Sequence, residues 1–355
     1  LAKVFASVLI DTYNHERFIE KAIVSVLEQD FAASDREIVV VDDGSTDRTP
    51  EIVKAFEPQV RLVRKKNGGQ ASAFNAGIPE CKGEFVLFLD GDDWWAKEKL
   101  KTVSEAFAAD AGVGLIGTGI LEVYADGREH TELLKDVPRF RVTSEEGARA
   151  FRLRKSFLGT SRMALRTELL KRIGTVPESL TIQADEYIFT LGAVLSDVLI
   201  LREPLTIYRL HETNAFQVQD GNVTALRRKQ MVLASLAKSL ETKLAELGVD
   251  DGVSQTMVET IETDADLLRL SIDGGFPWET IQTELRNYRI MHENASAAHW
   301  LLKCATLLPA CVLPPRAYYL LRQKCSENSI YRKAREKWLP FLQPTHVDRY
   351  RTTRP

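Results

Sequence analysis

The 355-residue chain is 44% hydrophobic and 27% charged, with a formal net charge of −3, the profile of a soluble globular protein and an argument against general nucleic-acid binding. Its length exceeds that of one ordinary domain, so one large and one smaller domain are expected. The charge is uneven: from Ser296 onward eleven Lys and Arg face three Asp and Glu, a balance of +8 that leaves −11 for the rest and marks a basic tail with its own partner. Cys81, Cys304, Cys311 and Cys325 show neither zinc-ligand spacing nor a disulfide framework, so reduced thiols in a cytoplasmic setting are expected. Val4 to Ile10 is too short for a signal peptide and charged residues follow it, so export is not expected.

In chain order, Val4 to Ile10 reads as a strand, followed by the loop Asp11-Thr12-Tyr13-Asn14 and an amphipathic helix through Phe18, Ile19, Ala22, Ile23, Val26 and Leu27. Glu37 to Val41 is a second strand that ends in Asp42-Asp43-Gly44-Ser45-Thr46-Asp47, with helical spacing at Ile52, Val53 and Phe56. Val60 to Val63 is a third, leading through Asn67-Gly68-Gly69-Gln70 into a small-residue helix. Alternation of this kind predicts βαβ units in a mainly parallel sheet flanked by helices.

The fourth run, Phe85-Val86-Leu87-Phe88-Leu89, has no polar alternation and ends abruptly in Asp90-Gly91-Asp92-Asp93. Both faces of such a strand are expected to be covered. Three carboxylates around one glycine repel one another unless a cation or a ligand's donors sit between them, and oxygen ligands suit magnesium or manganese. Standing alone, this turn reads equally well as a turn with a helix N-cap, and Asp42-Asp43-Gly44-Ser45 reads first as turn and N-cap chemistry. The topology, however, brings every one of these strand ends to one edge of the sheet, where ligands bind. There Asp43 can accept from a base N–H, Tyr13 can pack on the base, and Gly68-Gly69 can bring backbone amides to phosphate.

The series Thr12-Tyr13-Asn14, Val41 to Asp47, Asn67-Gly68-Gly69, Ala73-Phe74-Asn75-Ala76-Gly77 and Leu89 to Asp93 resembles the amino-terminal half of family 2 glycosyltransferases. The resemblance implies a GT-A fold, a nucleotide-diphospho-sugar donor, a divalent metal (Mn or Mg) as cofactor, and inversion at the anomeric carbon. It assigns donor binding to Thr12, Tyr13, Asn14, Asp43, Asn67, Gly68, Gly69, Asp90 and Gly91, and metal binding to Asp92. Asp11 stands where the family commonly has proline, a change expected to alter the loop only. The second half of the resemblance is Gly159 to Arg166, Ala184-Asp185-Glu186-Tyr187 and Tyr208-Arg209-Leu210-His211. It implies an acceptor border at the glycine segment, His211 completing the metal or diphosphate site, and a catalytic base in the acidic pair. That pair is reversed from the commoner Glu-Asp order, and either Glu186 or Asp185 can be the base, because neighbouring helix residues point in different directions.

Beyond the acidic turn, Leu100, Val103, Ala106 and Phe107 share a helical face, Val113 to Val123 reads as a strand, and Asp126-Gly127 as a hairpin turn. From about Asn222 the chain is helical throughout. Ala297 to Leu313 is apolar but short and interrupted by His299, Lys303 and Pro309, so it is not a transmembrane span. It reads first as a bundle helix, while Tyr318-Tyr319, Arg316, Arg322 and Lys324 behind it also suit an interfacial helix on anionic headgroups.

The expectation is therefore a GT-A catalytic domain over 1–215 and an all-α region over 216–355. The function expected is inverting sugar transfer from a nucleotide-diphospho-sugar to a glycan or lipid-linked acceptor, in cell-envelope or extracellular glycan synthesis. The location expected is cytoplasmic, with peripheral contact at the inner face of the plasma membrane. Two alternatives stand beside it: a haloacid-dehalogenase-like phosphatase that uses the Asp-x-Asp pair, and a catalytically silent membrane-docking protein that keeps the fold but uses the basic tail.

Overall fold

A computed structural model describes residues 5–131, 139–154, 158–211, 223–292 and 295–327. The chain divides into two compact units, residues 1–217 with 238–257, and 218–237 with 258–355.

The first unit is built on one sheet. Strands β1 (Ala6–Thr12), β2 (Arg36–Asp42), β3 (Arg61–Arg64) and β4 (Phe85–Asp90) alternate with helices α1 (Ile19–Leu27), α2 (Thr49–Lys54) and α3 (Gln70–Gly77). Next come β5 (Trp94–Trp95), α4 (Lys99–Ala109), β6 (Val113–Tyr124), β7 (Glu129–Thr131), β8 (Arg139–Phe140) and α5 (Glu145–Arg154). The unit continues with β9 (Met163–Arg166), α6 (Thr167–Ile173), α7 (Ala184–Leu195) and β10 (Asp197–Leu210). The main path of the sheet is β3-β2-β1-β4-β9-β6-β10-β5, with β7 on β6 and β8 on β10.

The β3-β2-β1-β4 half is parallel, as the strand-helix alternation predicts. Beyond β4 the sheet is mixed, because the four-residue β9 enters antiparallel between β4 and β6. Its residues, Met163 to Arg166, are too few and too close to a polar turn to show a strand period. The hairpin expected at Asp126-Gly127 is present, with β7 antiparallel to β6 and Gly127 at φ 84°.

Along β4, Phe85, Leu87 and Leu89 join the core formed with α1 and α4, while Phe88 turns to the other face and meets Phe74 of α3 at 5.1 Å between ring centroids. Both faces are covered, which is why the strand carries no polar alternation. Each fully buried Phe or Leu here contributes about 1.5–3 kcal/mol, enough to fix where the strand stops and its carboxylates begin.

The long strand β10 is parallel to β6 with a register shift between Leu201 and Thr206. Gly119 lies opposite this irregularity, where a Cβ would sit 2.6 Å from the carbonyl oxygen of Arg202. An irregularity of this type bends a strand and re-aims the residues beyond it, here Tyr208 to His211.

Two long helices, α8 (Val223–Glu246) and α9 (Asp251–Asp273), each contribute residues to both units. The second unit also holds α10 (Pro277–Met291), α11 (Ala297–Thr306) and α12 (Pro315–Glu327). Leu307, Ala310 and Tyr318 form its buried cluster, with Ile281 and Leu285 packed against them. The carboxylate of Glu284 is fully buried and is paired with Lys303 at 2.7 Å and with Arg322. No helix among the described residues is long and apolar enough to cross a membrane. Residues 328–355, where most of the basic tail falls, lie outside the described residues.

Candidate functional site

Parallel pairing sets Asp11 opposite Asp90 and Thr12 opposite Asp42, so the ends of three strands present carboxylates side by side. The turn after β4 continues this rim. Asp92 and Asp93 are both buried, and each is held by a different part of the sheet.

Asp92 Oδ2 lies 2.9 Å from His211 Nε2 and 3.8 Å from His15 Nε2. Burial works against its charge, but the His211 hydrogen bond and the neighbouring imidazoles hold its carboxyl below the usual value. Asp93 Oδ1 accepts the amide of Arg209 at 3.0 Å, and its Oδ2 lies 2.6 Å from the Ser161 hydroxyl. Desolvation, then the charge of Asp92, pushes its carboxyl well up. Asp90 is raised well above its usual range by burial and then by Asp11. Burial, followed by Asp92, pushes Asp11 up to about 8, and its Oδ1 is buried without a hydrogen-bond partner. The rim thus gathers more negative charge than its own donors neutralise.

The turn Thr160–Arg162 ties this rim to the acidic pair on α7. The amide and hydroxyl of Thr160 both donate to Asp185 Oδ2, each at 3.0 Å. The next residue, Ser161, accepts the amide of Asp90 at 3.0 Å through the same hydroxyl that meets Asp93. Two successive residues therefore span from the pair on α7 to the acidic turn. Asp185 also accepts the amide of Glu186 at 2.8 Å; burial, then the charge of Glu186, raises its carboxyl. The field of Asp185 reaches both Asp11 and Asp90. Glu186 is buried, with Gln183 Nε2 donating to its Oε2 at 3.1 Å.

Beneath the turn, the Ser161 carbonyl accepts from Trp95 Nε1 at 3.1 Å, Thr206 Oγ1 at 3.0 Å and Lys99 Nζ at 2.5 Å. Lys99 is wholly inaccessible to solvent, and burial, then the charge of Arg162, pulls its ammonium well below the usual range.

A ladder of rings and cations closes the side next to Asp92. The Phe18 ring lies 4.6 Å from that of His211, and the Arg209 guanidinium is 4.8 Å from Phe18 and 4.6 Å from Trp94. Lys21 Nζ follows at 3.4 Å from the Trp94 ring. Such contacts are each worth about 0.5–1 kcal/mol or more. Together they fix the Arg209 side chain, whose Nε donates to the carbonyl of Asp92 at 3.0 Å.

At the neighbouring strand end, Asp43 accepts from the amides of Gly68 at 3.0 Å and Gly69 at 2.7 Å, and from Lys65 Nζ at 2.6 Å. The amides expected at phosphate thus cradle this carboxylate. Gly69 sits at φ 85°, where a Cβ would press to 2.6 Å from Thr181, so only glycine lets the loop turn here. Gln70 joins the loop to the rest of the site: its Nε2 donates to Thr160 Oγ1 at 3.0 Å and its Oε1 accepts the amide of Ala184 at 2.8 Å. Asn14 accepts the Thr46 amide at 2.8 Å, and its own amide donates to Ser45. Tyr13 is exposed beside it. Gly91 packs so closely that a Cβ would lie 2.6 Å from Thr12 Oγ1.

The structure therefore brings Asp90, Gly91, Asp92, Thr12 and His211 together, with Asp185 and Glu186 joined to them through Thr160 and Ser161. Asp43, Gly68 and Gly69 form a second cluster, linked through Gln70; Asn67 joins it by its backbone, which packs against Gly44 so closely that a Cβ there would lie 2.6 Å from the Asn67 nitrogen. Sequence reasoning missed His15 and Lys99, read Ser161 only as part of an acceptor border and Gln70 only as part of the glycine loop, and read Asp11 as a loop change. His15 directly follows a loop already singled out. Lys99 shares a helical face with Val103 and Phe107, where a lysine is out of place.

The donor set fits a divalent cation: oxygen and imidazole at Asp92 and His211, surrounded by carboxyls that burial leaves under-neutralised. Among the described residues no group of three or more ligands forms a ready cage, so such an ion would draw further oxygens from a ligand, as magnesium sites commonly do.

Residues 7–174 match the family model described as glycosyl transferase family 2. An "Uncharacterized glycosyltransferase alr2836" of Nostoc sp. is 34% identical over 215 residues, covering 59% of this chain and 65% of that protein. Poly(ribitol-phosphate) beta-N-acetylglucosaminyltransferase TarS of Staphylococcus aureus is 40% identical over 99 residues, 27% of this chain and 17% of TarS. The matches thus span less than two thirds of either relative. Among solved structures, S. aureus TarS 1-349 in complex with UDP-GlcNAc aligns with TM-score 0.56 at 21% identity, covering 93% of this chain and 92% of that one. The mannosyltransferase PcManGT of Pyrobaculum calidifontis, in complex with GDP-Man and Mn2+, aligns at 0.53 with 20% identity, covering 93% and 83%. These likenesses concern the fold, which is the GT-A arrangement of a mixed sheet flanked by helices.

Proposed function

We propose, from the match of residues 7–174 to the family 2 glycosyltransferase model, that the chain transfers a sugar from a nucleotide-diphospho-sugar to an acceptor hydroxyl with inversion. The observation that carries the reading is the Thr160-Ser161 bridge, which holds the Asp185–Glu186 pair against the Asp90-Gly91-Asp92-Asp93 turn. A proton acceptor and a site for a charged leaving group thus share one rim.

The base of the donor packs on Tyr13, and its ring N–H takes the place on Asp43 that Lys65 Nζ now holds. Thr12, Asn14, Asn67, Gly68 and Gly69 shape the nucleoside pocket, and Asp90 and Gly91 border the ribose. Asp92 and His211 would hold the divalent cation, Mn or Mg, which would supply charge compensation for the departing diphosphate. Arg209, pinned by Phe18 and Trp94, adds a fixed positive charge on the same side. The acceptor oxygen attacks the anomeric carbon opposite the leaving group, and its proton passes to the acidic pair as the new bond forms. Asp185 has the stronger geometric case as base, because the Thr160-Ser161 turn joins its carboxylate to the acidic rim; burial raises that carboxyl.

This role occupies residues 1–215, with 216–355 as a helical region for peripheral membrane contact on the cytoplasmic side. The acceptor class proposed is a glycan or lipid-linked hydroxyl, in cell-envelope or extracellular glycan synthesis. The phosphatase reading of Asp-Gly-Asp is set aside, since the segment that holds it matches the transferase model.

The test is donor turnover over a panel of nucleotide-diphospho-sugars with manganese, for the wild type, Asp185→Asn and Glu186→Gln. Loss of the base is expected to lower kcat about a hundredfold or more in Asp185→Asn with the donor KM little changed. No turnover of any donor, or full turnover in both variants, overturns the assignment.

A further inference from the structure

The second unit carries an apolar surface that its own packing leaves bare. Leu307, Ala310 and Tyr318 point inward onto Ile281 and Leu285. Residues between and on either side of them are exposed: Leu301 is 73% exposed, Leu308 66% and Val312 78%, with Leu302, Leu320 and Leu321 also exposed. Helix α11 has no buried residue at all. Six large aliphatic side chains on two short helices and the turn between them are more than the scattered exposure of an ordinary surface.

The stretch of sequence that carries this surface has charge of one sign. No Asp or Glu occurs between Ser296 and Ser326, while Lys303, Arg316, Arg322 and Lys324 do. Two of these cations are engaged by Glu284 from α10, and Arg316 acts on Asp273. Arg316 lies beside Gly274, whose Cβ would sit 3.6 Å from its side chain, and the turn there leads to the exposed Phe276 and Trp278. The sequence that follows, 328–355, adds seven Lys and Arg against two Asp and Glu. Exposed Leu, Val, Phe and Trp with Lys and Arg, and no carboxylate among them from 296 to 326, match an anionic bilayer surface: aliphatic groups enter the acyl boundary and cations meet the headgroups.

We propose that the face formed by Leu301, Leu302, Leu308, Val312, Leu320 and Leu321 docks the chain on an anionic lipid surface. The proposal rests on the membrane-contact part of the functional reading and not on its chemistry, so the two fail separately.

The test uses the full chain labelled at Cys304 and Cys311, both exposed and on the same elements, with an environment-sensitive fluorophore. Vesicles of phosphatidylcholine alone are compared with vesicles containing about 30% phosphatidylglycerol. Binding about tenfold tighter to the anionic vesicles, with a blue-shifted label and weakening in high salt, is expected. The unlabelled variant L301Q/L308Q/V312Q, altered only at exposed positions and checked by its unchanged melting temperature, should lose co-flotation while keeping donor turnover. Three results overturn the proposal: no binding to anionic vesicles, equal flotation of the variant, or a patch-dependent dimer in sedimentation without vesicle binding. The last would make a second copy of the chain the occupant.

Discussion

Replacing Ser161 with alanine tests the bridge on which the site depends. Its hydroxyl accepts the Asp90 amide at 3.0 Å and meets Asp93 Oδ2 at 2.6 Å, and Asp93 is only 1% exposed. Alanine removes both contacts and leaves a buried amide and a buried carboxyl oxygen each short of a partner. A hydrogen bond is worth about 1 kcal/mol and an unsatisfied buried group costs about 1–3 kcal/mol, so a loss of roughly 2–4 kcal/mol is expected. For a unit of this size that is a fall of roughly 5–10 °C in melting temperature. Differential scanning calorimetry of the metal-free chain reads it directly. Asp93, already raised by burial and by Asp92, would rise further, because the Ser161 contact is one of the influences holding it down. The Ser161→Ala defect should therefore grow as pH rises. A melting temperature within about 1 °C of the wild type across the pH range would refute the bridge.

Asp11 gives a linkage prediction with a definite sign. Its carboxyl ionises near 3.8 when unperturbed and at about 8 in the folded chain. Between those values the folded state holds a proton that the unfolded state has lost, so stability falls as pH rises through the window. Asp11→Asn should thus stabilise the metal-free chain, with little gain near pH 4 and the full gain above about pH 8, read as the difference in melting temperature; a gain independent of pH would contradict the raised carboxyl. Phe18→Ala removes the ring that stacks on His211 and carries Arg209. Manganese affinity, followed by electron paramagnetic resonance, should fall about tenfold or more, as when the support of a metal ligand is lost. Unchanged affinity would show that the ladder does not position His211.

Much of this architecture is legible in the residues. The runs ending in Asp11-Thr12, Asp42-Asp43 and Asp90 show where strands stop, and βαβ alternation obliges those ends to share an edge. The mixed half of the sheet is hidden because β9 has four residues and borrows its strand character from β4 and β6 on either side. The place of Asp11 follows from a pairing the sequence implies: two adjacent parallel strands that both end in aspartate set their carboxylates side by side. Taken one strand at a time, Asp11 looks like a loop substitution. The Asp43 cradle was obscure for a different reason, since glycine pairs announce close backbone approach without saying to what, and here the amides turn to a carboxylate of the protein itself. Lys99 was obscured by its type: a lysine in a first helical turn reads as solvated, and only its tertiary acceptors, Ser161 and Thr206, show otherwise.

The central claim is that Asp92 and its neighbours make one site for a cation and a diphosphate. Calorimetric titration of nucleotide-diphospho-sugars into the wild type and Asp92→Ala, with manganese and with chelator, addresses it most directly. The account predicts that one donor binds the wild type in manganese, at least about tenfold more weakly in chelator, and that Asp92→Ala binds it equally weakly in both. Donor affinity indifferent to manganese and to Asp92 would contradict it.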